Sequence, residues 1–167
     1  MEDTPSSNKI ELYPKTVCRE YLESITIAFM GALFIMVYIF QAFMVDGHSM
    51  EPTLHHHQRL FVEKLTYKFF PPKTGDIVVI HPPVETRRKY IKRIIGTPGD
   101  YVEIKDNKVY INDIPLKETY IKDPEFSSQG FMPQVIPEDQ YLVLGDNRNY
   151  SSDGRSFGLI SRKAIVG

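Results

Sequence analysis

Residues 24–45 run SITIAFMGALFIMVYIFQAFMV without one charged side chain. Roughly 20 apolar residues are what a helix needs to cross the hydrocarbon core of a bilayer. A helix of a soluble core would show a polar stripe at 3.6-residue spacing. Here the clearly polar members are Ser24, Thr26 and Gln41, the first two at the N-terminal end. A cleavable secretory signal would be shorter and would finish in small residues, whereas this run leaves through Ala42, Phe43, Met44, Val45 and Asp46. The pattern predicts an uncleaved transmembrane anchor over residues 24–45, a short polar tail over 1–23 and a separate domain over 46–167. Lys9, Lys15 and Arg19 precede the span, and only Arg59 follows within a comparable stretch. The positive-inside rule then puts the tail in the cytoplasm and the domain on the far side of the cell membrane.

Beyond Asp46 the texture changes to short runs rich in Val, Ile and Tyr. They predict strands over 59–62, 76–80, 89–95, 101–104, 108–111 and 141–144, bounded by turn formers such as Pro71-Pro72, Pro82-Pro83 and Thr97-Pro98-Gly99-Asp100. Lys105-Asp106-Asn107 predicts a tight hairpin between two of them, and residues 123–137 a loop. The expected fold class is mainly β, an antiparallel β-sheet domain behind one N-terminal transmembrane helix.

Composition changes this picture little. The chain has 167 residues, 42% hydrophobic and 25% charged, with a formal net charge of −1. Without a basic excess, nucleic acid is not expected as a partner. The single cysteine, Cys18, excludes an internal disulfide.

Three segments concentrate chemistry. The first, Gly47-His48-Ser49-Met50-Glu51-Pro52, is a loop just past the apolar run, with a glycine that admits close approach and a proline that stiffens the turn. Taken by itself it reads as an ordinary loop. The second is Tyr90-Ile91-Lys92-Arg93-Ile94, where strand alternation puts Tyr90, Lys92 and Ile94 on one face and Arg93 on the other. A lysine desolvated by such neighbours has a lowered pKa and can take a proton from a serine hydroxyl. The alternative is a lysine reaching from a strand edge into water. The third, from Gly145 to Arg155, is a polar turn in which Asp146 or Asp153 can pair with Arg148 or Arg155, and a hydroxyl such as Ser151 can orient an amine.

Together these segments resemble the type I signal peptidases, the Ser/Lys enzymes that remove signal peptides from exported proteins. The similarity rests on Gly-x-Ser-Met-x-Pro-Thr-Leu from Gly47, Arg-Leu-Phe-Val-x-Lys from Arg59 and Gly-Asp-Ile-Val-Val from Gly75. It continues with Tyr-Ile-Lys-Arg-x-x-Gly-x-Pro-Gly-Asp from Tyr90 and Gly-Asp-Asn-Arg-x-x-Ser-x-Asp-x-Arg from Gly145. The resemblance implies a serine endopeptidase with Ser49 as nucleophile, Lys92 as general base and Ser151 bonded to the lysine amine. Asp146, Arg148, Asp153 and Arg155 would shape the site, and the backbone around Ser49 and Met50 would face the oxyanion. Some members carry a serine where this chain has Gly47, so the Ser49 N–H is expected to bear more of that load. Relatives also continue past the stretch that ends here in Ala164-Ile165-Val166-Gly167, so either a shortened chain or an incomplete terminal strand is expected.

The resemblance implies signal peptides of exported preproteins and the lipid bilayer as partners, with no cofactor and no metal. Three other readings compete. A Ser-His-Asp hydrolase would need His81, because His48 adjoins Ser49 and points away. A metal site would need His55-His56-His57, yet consecutive histidines converge poorly on one ion. A non-enzymatic, membrane-anchored β module assisting envelope protein assembly would need none of these residues.

Overall fold

The computed structural model describes residues 14–84, 88–126 and 131–167, and the chain divides into two compact units between Tyr38 and Ile39. The first contains helix α1, Pro14–Tyr38. Its stretch Val17–Tyr38 is long and apolar enough to cross a membrane. Charge stays at its N-terminal end, where Arg19 Nε meets Glu23 Oε1 at 2.7 Å. Thr26 returns its hydroxyl proton to the Leu22 carbonyl at 2.7 Å, which satisfies a polar group within an apolar run.

The predicted anchor is corrected at its C-terminal end. The helix stops at Tyr38, and strand β1, Phe40–Met44, pairs antiparallel with β2, Arg59–Glu63, from Phe40↔Glu63 to Met44↔Arg59. Residues 39–45 therefore belong to the second unit. An uninterrupted apolar run suits strand and helix alike, and here a distant partner decides. The Lys64 N–H donates to the Ile39 carbonyl at 3.0 Å, and the Val45 N–H to the Gln58 carbonyl at 2.9 Å, extending the ladder at both ends. At the other end α1 already includes Pro14 to Glu23, which the tail over 1–23 was expected to hold; residues 1–13 lie outside the described residues.

The remaining strands are β3 (Ile77–Ile80), β4 (Tyr90–Gly96), β5 (Tyr101–Lys105), β6 (Lys108–Ile111), β7 (Ile114–Pro115), β8 (Gln134–Val135), β9 (Gln140–Leu144) and β10 (Ile160–Ser161). They form two four-stranded sheets, ordered β10-β9-β4-β3 and β7-β6-β5-β8. Among the described residues all these pairings are antiparallel, and the fold is mainly β as expected. The six predicted strands occur within a residue or so of their predicted bounds. Asp106 and Asn107 turn the β5–β6 hairpin with φ of 49° and 59°, the left-handed pair that a two-residue hairpin loop demands. Part of the predicted loop over 123–137 is strand β8, and residues 127–130 of it lie outside the described residues.

Strand β9 is apolar on both faces and joins two cores. Tyr141 and Val143 face Val78, Ile80, Ile94 and Ile160. Leu142 and Leu144 face Ile95, Val102, Ile104, Val109, Phe126, Phe131 and Ile136. The β4–β9 register shifts between Ile94 and Gly96, a bulge that inserts Ile95 as an extra residue.

Candidate active site

Ser49 sits on the loop that leaves β1. Its neighbour Met50 is buried with Val45 and Leu54, packed against Leu60 and Ile91, so the loop is nailed to the unit by an apolar side chain one residue past the serine. The Met50 carbonyl accepts from the Leu54 N–H at 2.9 Å, and the His48 carbonyl from the Glu51 N–H at 3.2 Å. Gly47 has φ of +113°, a backbone state that side chains with a Cβ rarely adopt.

Lys92 stands on β4, opposite Val78 of β3, and is 3% exposed. Its Nζ lies 2.7 Å from Ser49 Oγ and 5.3 Å from the centre of the Tyr90 ring. Burial lowers the amine from its ordinary 10.5 to about 8; the carboxylates of Asp153 and Asp146 resist that fall, and Arg155 assists it. Desolvation wins because a cation in a dry site loses hydration that distant carboxylates replace only in part.

The turn after β9 supplies tethers. Asn147 donates its N–H to the Ser49 carbonyl at 3.0 Å and its side-chain amide to the His48 carbonyl at 3.0 Å. Gly145 is fixed at both ends: its N–H donates to Asp153 Oδ2 at 3.0 Å, and its carbonyl accepts from Arg148 Nε at 3.0 Å. A Cβ at Gly145 would lie 2.5 Å from the Ser49 carbonyl oxygen and closer still to Ser151 Oγ, so only glycine permits the two segments to meet.

The predicted charge pairs resolve unevenly. Asp153 does pair with Arg155, through Nε and Nη2 at 2.9 Å each. Asp146 pairs with neither arginine of its turn. It takes a bidentate grip from Arg93, Nε to Oδ1 at 2.9 Å and Nη2 to Oδ2 at 2.7 Å, and a hydrogen bond from Thr53. Arg148, 2% exposed, pairs with Glu118. Ser151 is the clearest departure: its Oγ is buried and has no hydrogen-bond partner, so the expected bond to the lysine amine is not formed. The amine is turned to Ser49, while Ser151 lies over Gly145. Arg93, Thr53, Glu118 and Asn147 escaped the sequence reading as site residues, although Asn147 stands inside the Gly-Asp-Asn-Arg motif that flagged its neighbours.

The competing residues fall elsewhere. His48 Nδ1 is 2.7 Å from Glu51 Oε1, and Lys122 holds the same carboxylate. Those two contacts, Lys122 first, bring Glu51 down to about 2. His81 is exposed and does not line the cleft beside Ser49. Among the described residues no group of three or more His, Cys, Asp or Glu is placed to hold a metal ion.

The cleft itself, about 240 Å³, lies between residues 43–50 and 89–92, with Val79, Tyr150 and Ser152 completing its wall. A hydroxyl within hydrogen-bond reach of a buried amine, at the wall of a cleft, is the equipment of an enzyme that works by nucleophilic attack. The comparisons with known proteins agree with that class. The family model described as signal peptidase, peptidase S26, matches residues 18–167. The chain is 38% identical over 173 residues to a signal peptidase I of Leptolyngbya laminosa, covering 98% of this chain and 84% of the relative. It is 38% identical over 176 residues to a signal peptidase I of Bacillus licheniformis, covering 100% and 91%. The crystal structure of a signal peptidase I from Enterococcus faecalis V583 superposes with a TM-score of 0.50 at 31% identity, covering 59% of this chain and 96% of that one. The chain belongs to the signal peptidase family, peptidase S26, and is a serine endopeptidase of the kind that cleaves signal peptides.

Proposed function

We propose that Ser49 is the nucleophile and Lys92 its general base in the cleavage of signal peptides from exported preproteins. The observation that carries this reading is the 2.7 Å contact between a hydroxyl at the cleft wall and an amine only 3% exposed. Neutral Lys92 takes the Ser49 proton as Oγ attacks the scissile carbonyl. The resulting lysinium gives that proton to the leaving amine, and water then hydrolyses the acyl-enzyme. Backbone donors at Ser49 and Met50 stabilise the oxyanion, each such donor being worth about 3 kcal/mol. Asp153 and Arg148 support the pair by holding the two ends of Gly145. Arg155 and Arg93 neutralise Asp153 and the adjacent Asp146, Ser151 packs over Gly145, and Gly145 and Asn147 meet the serine loop.

The substrate lies extended in the cleft, against the edge of β1 that faces away from β2, and offers small residues at positions −1 and −3. α1 anchors the enzyme in the cell membrane with its N-terminus cytoplasmic and the β-rich unit outside. Tethering to the bilayer raises the local concentration of a membrane-held substrate. Replacing Lys92 with Met tests the mechanism, since the thioether fills the same space without a basic nitrogen. Cleavage of a presecretory substrate is expected to drop by at least about a thousandfold, while His81→Ala leaves it intact. Full activity in Lys92→Met excludes the mechanism, and loss of activity on chelation of the wild type favours a metal instead.

A further inference from the structure

The histidine run His55-His56-His57, which the sequence offers as a solvated loop or a metal site, is drawn into a turn beside the serine. Gln58 closes it: its N–H donates to the His55 carbonyl at 3.1 Å, and its side-chain oxygen accepts from the His55 N–H at 3.1 Å. The His57 N–H then reaches back to the Val45 carbonyl at 2.9 Å, so the β1–β2 ladder runs on toward the serine. Two residues beyond Val45, a side chain takes over from the backbone. The Gly47 N–H donates to His56 Nδ1 at 3.0 Å.

That bond fixes the state of the ring. A backbone amide only donates, so Nδ1 must present its lone pair and the ring proton must sit on Nε2. Protonation of Nδ1 removes the acceptor. The displaced partner has a replacement at hand, because Asp46 Oδ1 stands 3.9 Å from the same nitrogen. The other titratable groups facing the ring are His57, with centroids 3.6 Å apart, and His48, at 5.1 Å; Glu51 reaches it only through His48. His56 is half-buried. Gly47 has no side chain by which the loop could be held, and its φ of +113° leaves the amide as the handle. It lines the same cleft as Ser49, two residues away.

We infer that His56 is a positioning residue for the nucleophile: its neutral imidazole holds the Gly47 amide and thereby Ser49, and the protonated ring releases that hold toward Asp46. The inference rests on the reading of Ser49 as nucleophile. It implies two acid limbs in the activity, one from the Lys92 base and one from the loop.

The test compares full-length wild type, His56→Ala, His56→Asn and the exposed-site control His55→Ala in detergent micelles. The substrate is an internally quenched peptide with small residues at −1 and −3, followed from about pH 5 to 9. On the alkaline side His56→Ala is expected to lose about fivefold in kcat, the worth of one hydrogen bond, with KM little changed. His56→Asn recovers most of that loss, because its side-chain oxygen accepts from the same amide. On the acid side the wild-type logarithmic slope steepens beyond one as both groups protonate, whereas His56→Asn keeps a slope of one. A wild-type kcat in His56→Ala, or an equally steep limb in His56→Asn, overturns the inference. Should His56→Ala fail to fold, the slope of His56→Asn still decides. A Lys92→Met protein that cleaves removes the general-base reading itself, while an inactive one beside an unaltered His56→Ala removes only the role of His56.

Discussion

Lys92 and Ser49 stand 2.7 Å apart, yet they are held by opposite means. The lysine belongs to β4, which lies between β3 and β9 in its sheet, so its direction follows from strand register and its chemistry from burial. The serine belongs to a loop whose hold is a short set of contacts: Met50 packed inward, Asn147 gripping two successive carbonyls, Gly145 beneath and His56 at the glycine amide. The place of Lys92 is thus a property of the sheet, and the place of Ser49 a property of tethers. Damage to the sheet should be read out in stability and in protonation, and damage to the tethers in turnover.

The largest effect expected from that contrast lies on the Lys92 side. Lys92 titrates at about 8 when folded against 10.5 ordinarily, so between those values the unfolded chain holds more protons. Stability therefore rises with pH across that window, and the full penalty is present below about 8. Lys92→Met should raise folding stability at pH 7 by on the order of 3 kcal/mol, an advantage that shrinks toward pH 10.5. Chemical unfolding of the full chain in detergent at several pH values checks it, and a constant difference would show that burial does not set the amine's proton affinity. Next comes Gly145→Ala, whose Cβ meets the Ser49 carbonyl at 2.5 Å. A displaced serine is expected to cost about a hundredfold in kcat with the Lys92-dependent pH midpoint unmoved; a shifted midpoint would mean the two halves are not separable. Asn147→Ala is the mildest of the three. It removes one of the two carbonyl grips and leaves the backbone one, and about a tenfold loss in kcat is expected, measured under saturating peptide.

What the sequence made legible follows the same division. Alternation along Tyr90-Ile91-Lys92-Arg93-Ile94 places Lys92 and Arg93 on opposite faces, and the structure agrees, because a strand's period is local and needs no partner to be read. Asp106-Asn107 announced its hairpin for the same reason. The partners of the charged residues were not legible. Asp146 finds Arg93 and Arg148 finds Glu118 across long stretches of chain, while local spacing favoured pairing inside the turn. β1 was hidden because an apolar run has no internal mark where helix gives way to strand; only β2 supplies one. The two-residue strands β7, β8 and β10 are too short for any pattern. Ser151 shows that a motif can name a residue without giving its rotamer.

The bulge at Ile95 has a consequence for how the enzyme comes into being. Two basic side chains are adjacent on β4, one turned to the serine and one locked to a carboxylate. Sliding the strand by one position would exchange them, offering Ser49 a guanidinium that holds its proton at any working pH. The inserted residue makes β4 and β9 fit in a single phase, so a chain that has paired its sheet has, in the same act, sorted Lys92 from Arg93. A misaligned sheet would be inert, not miscleaving.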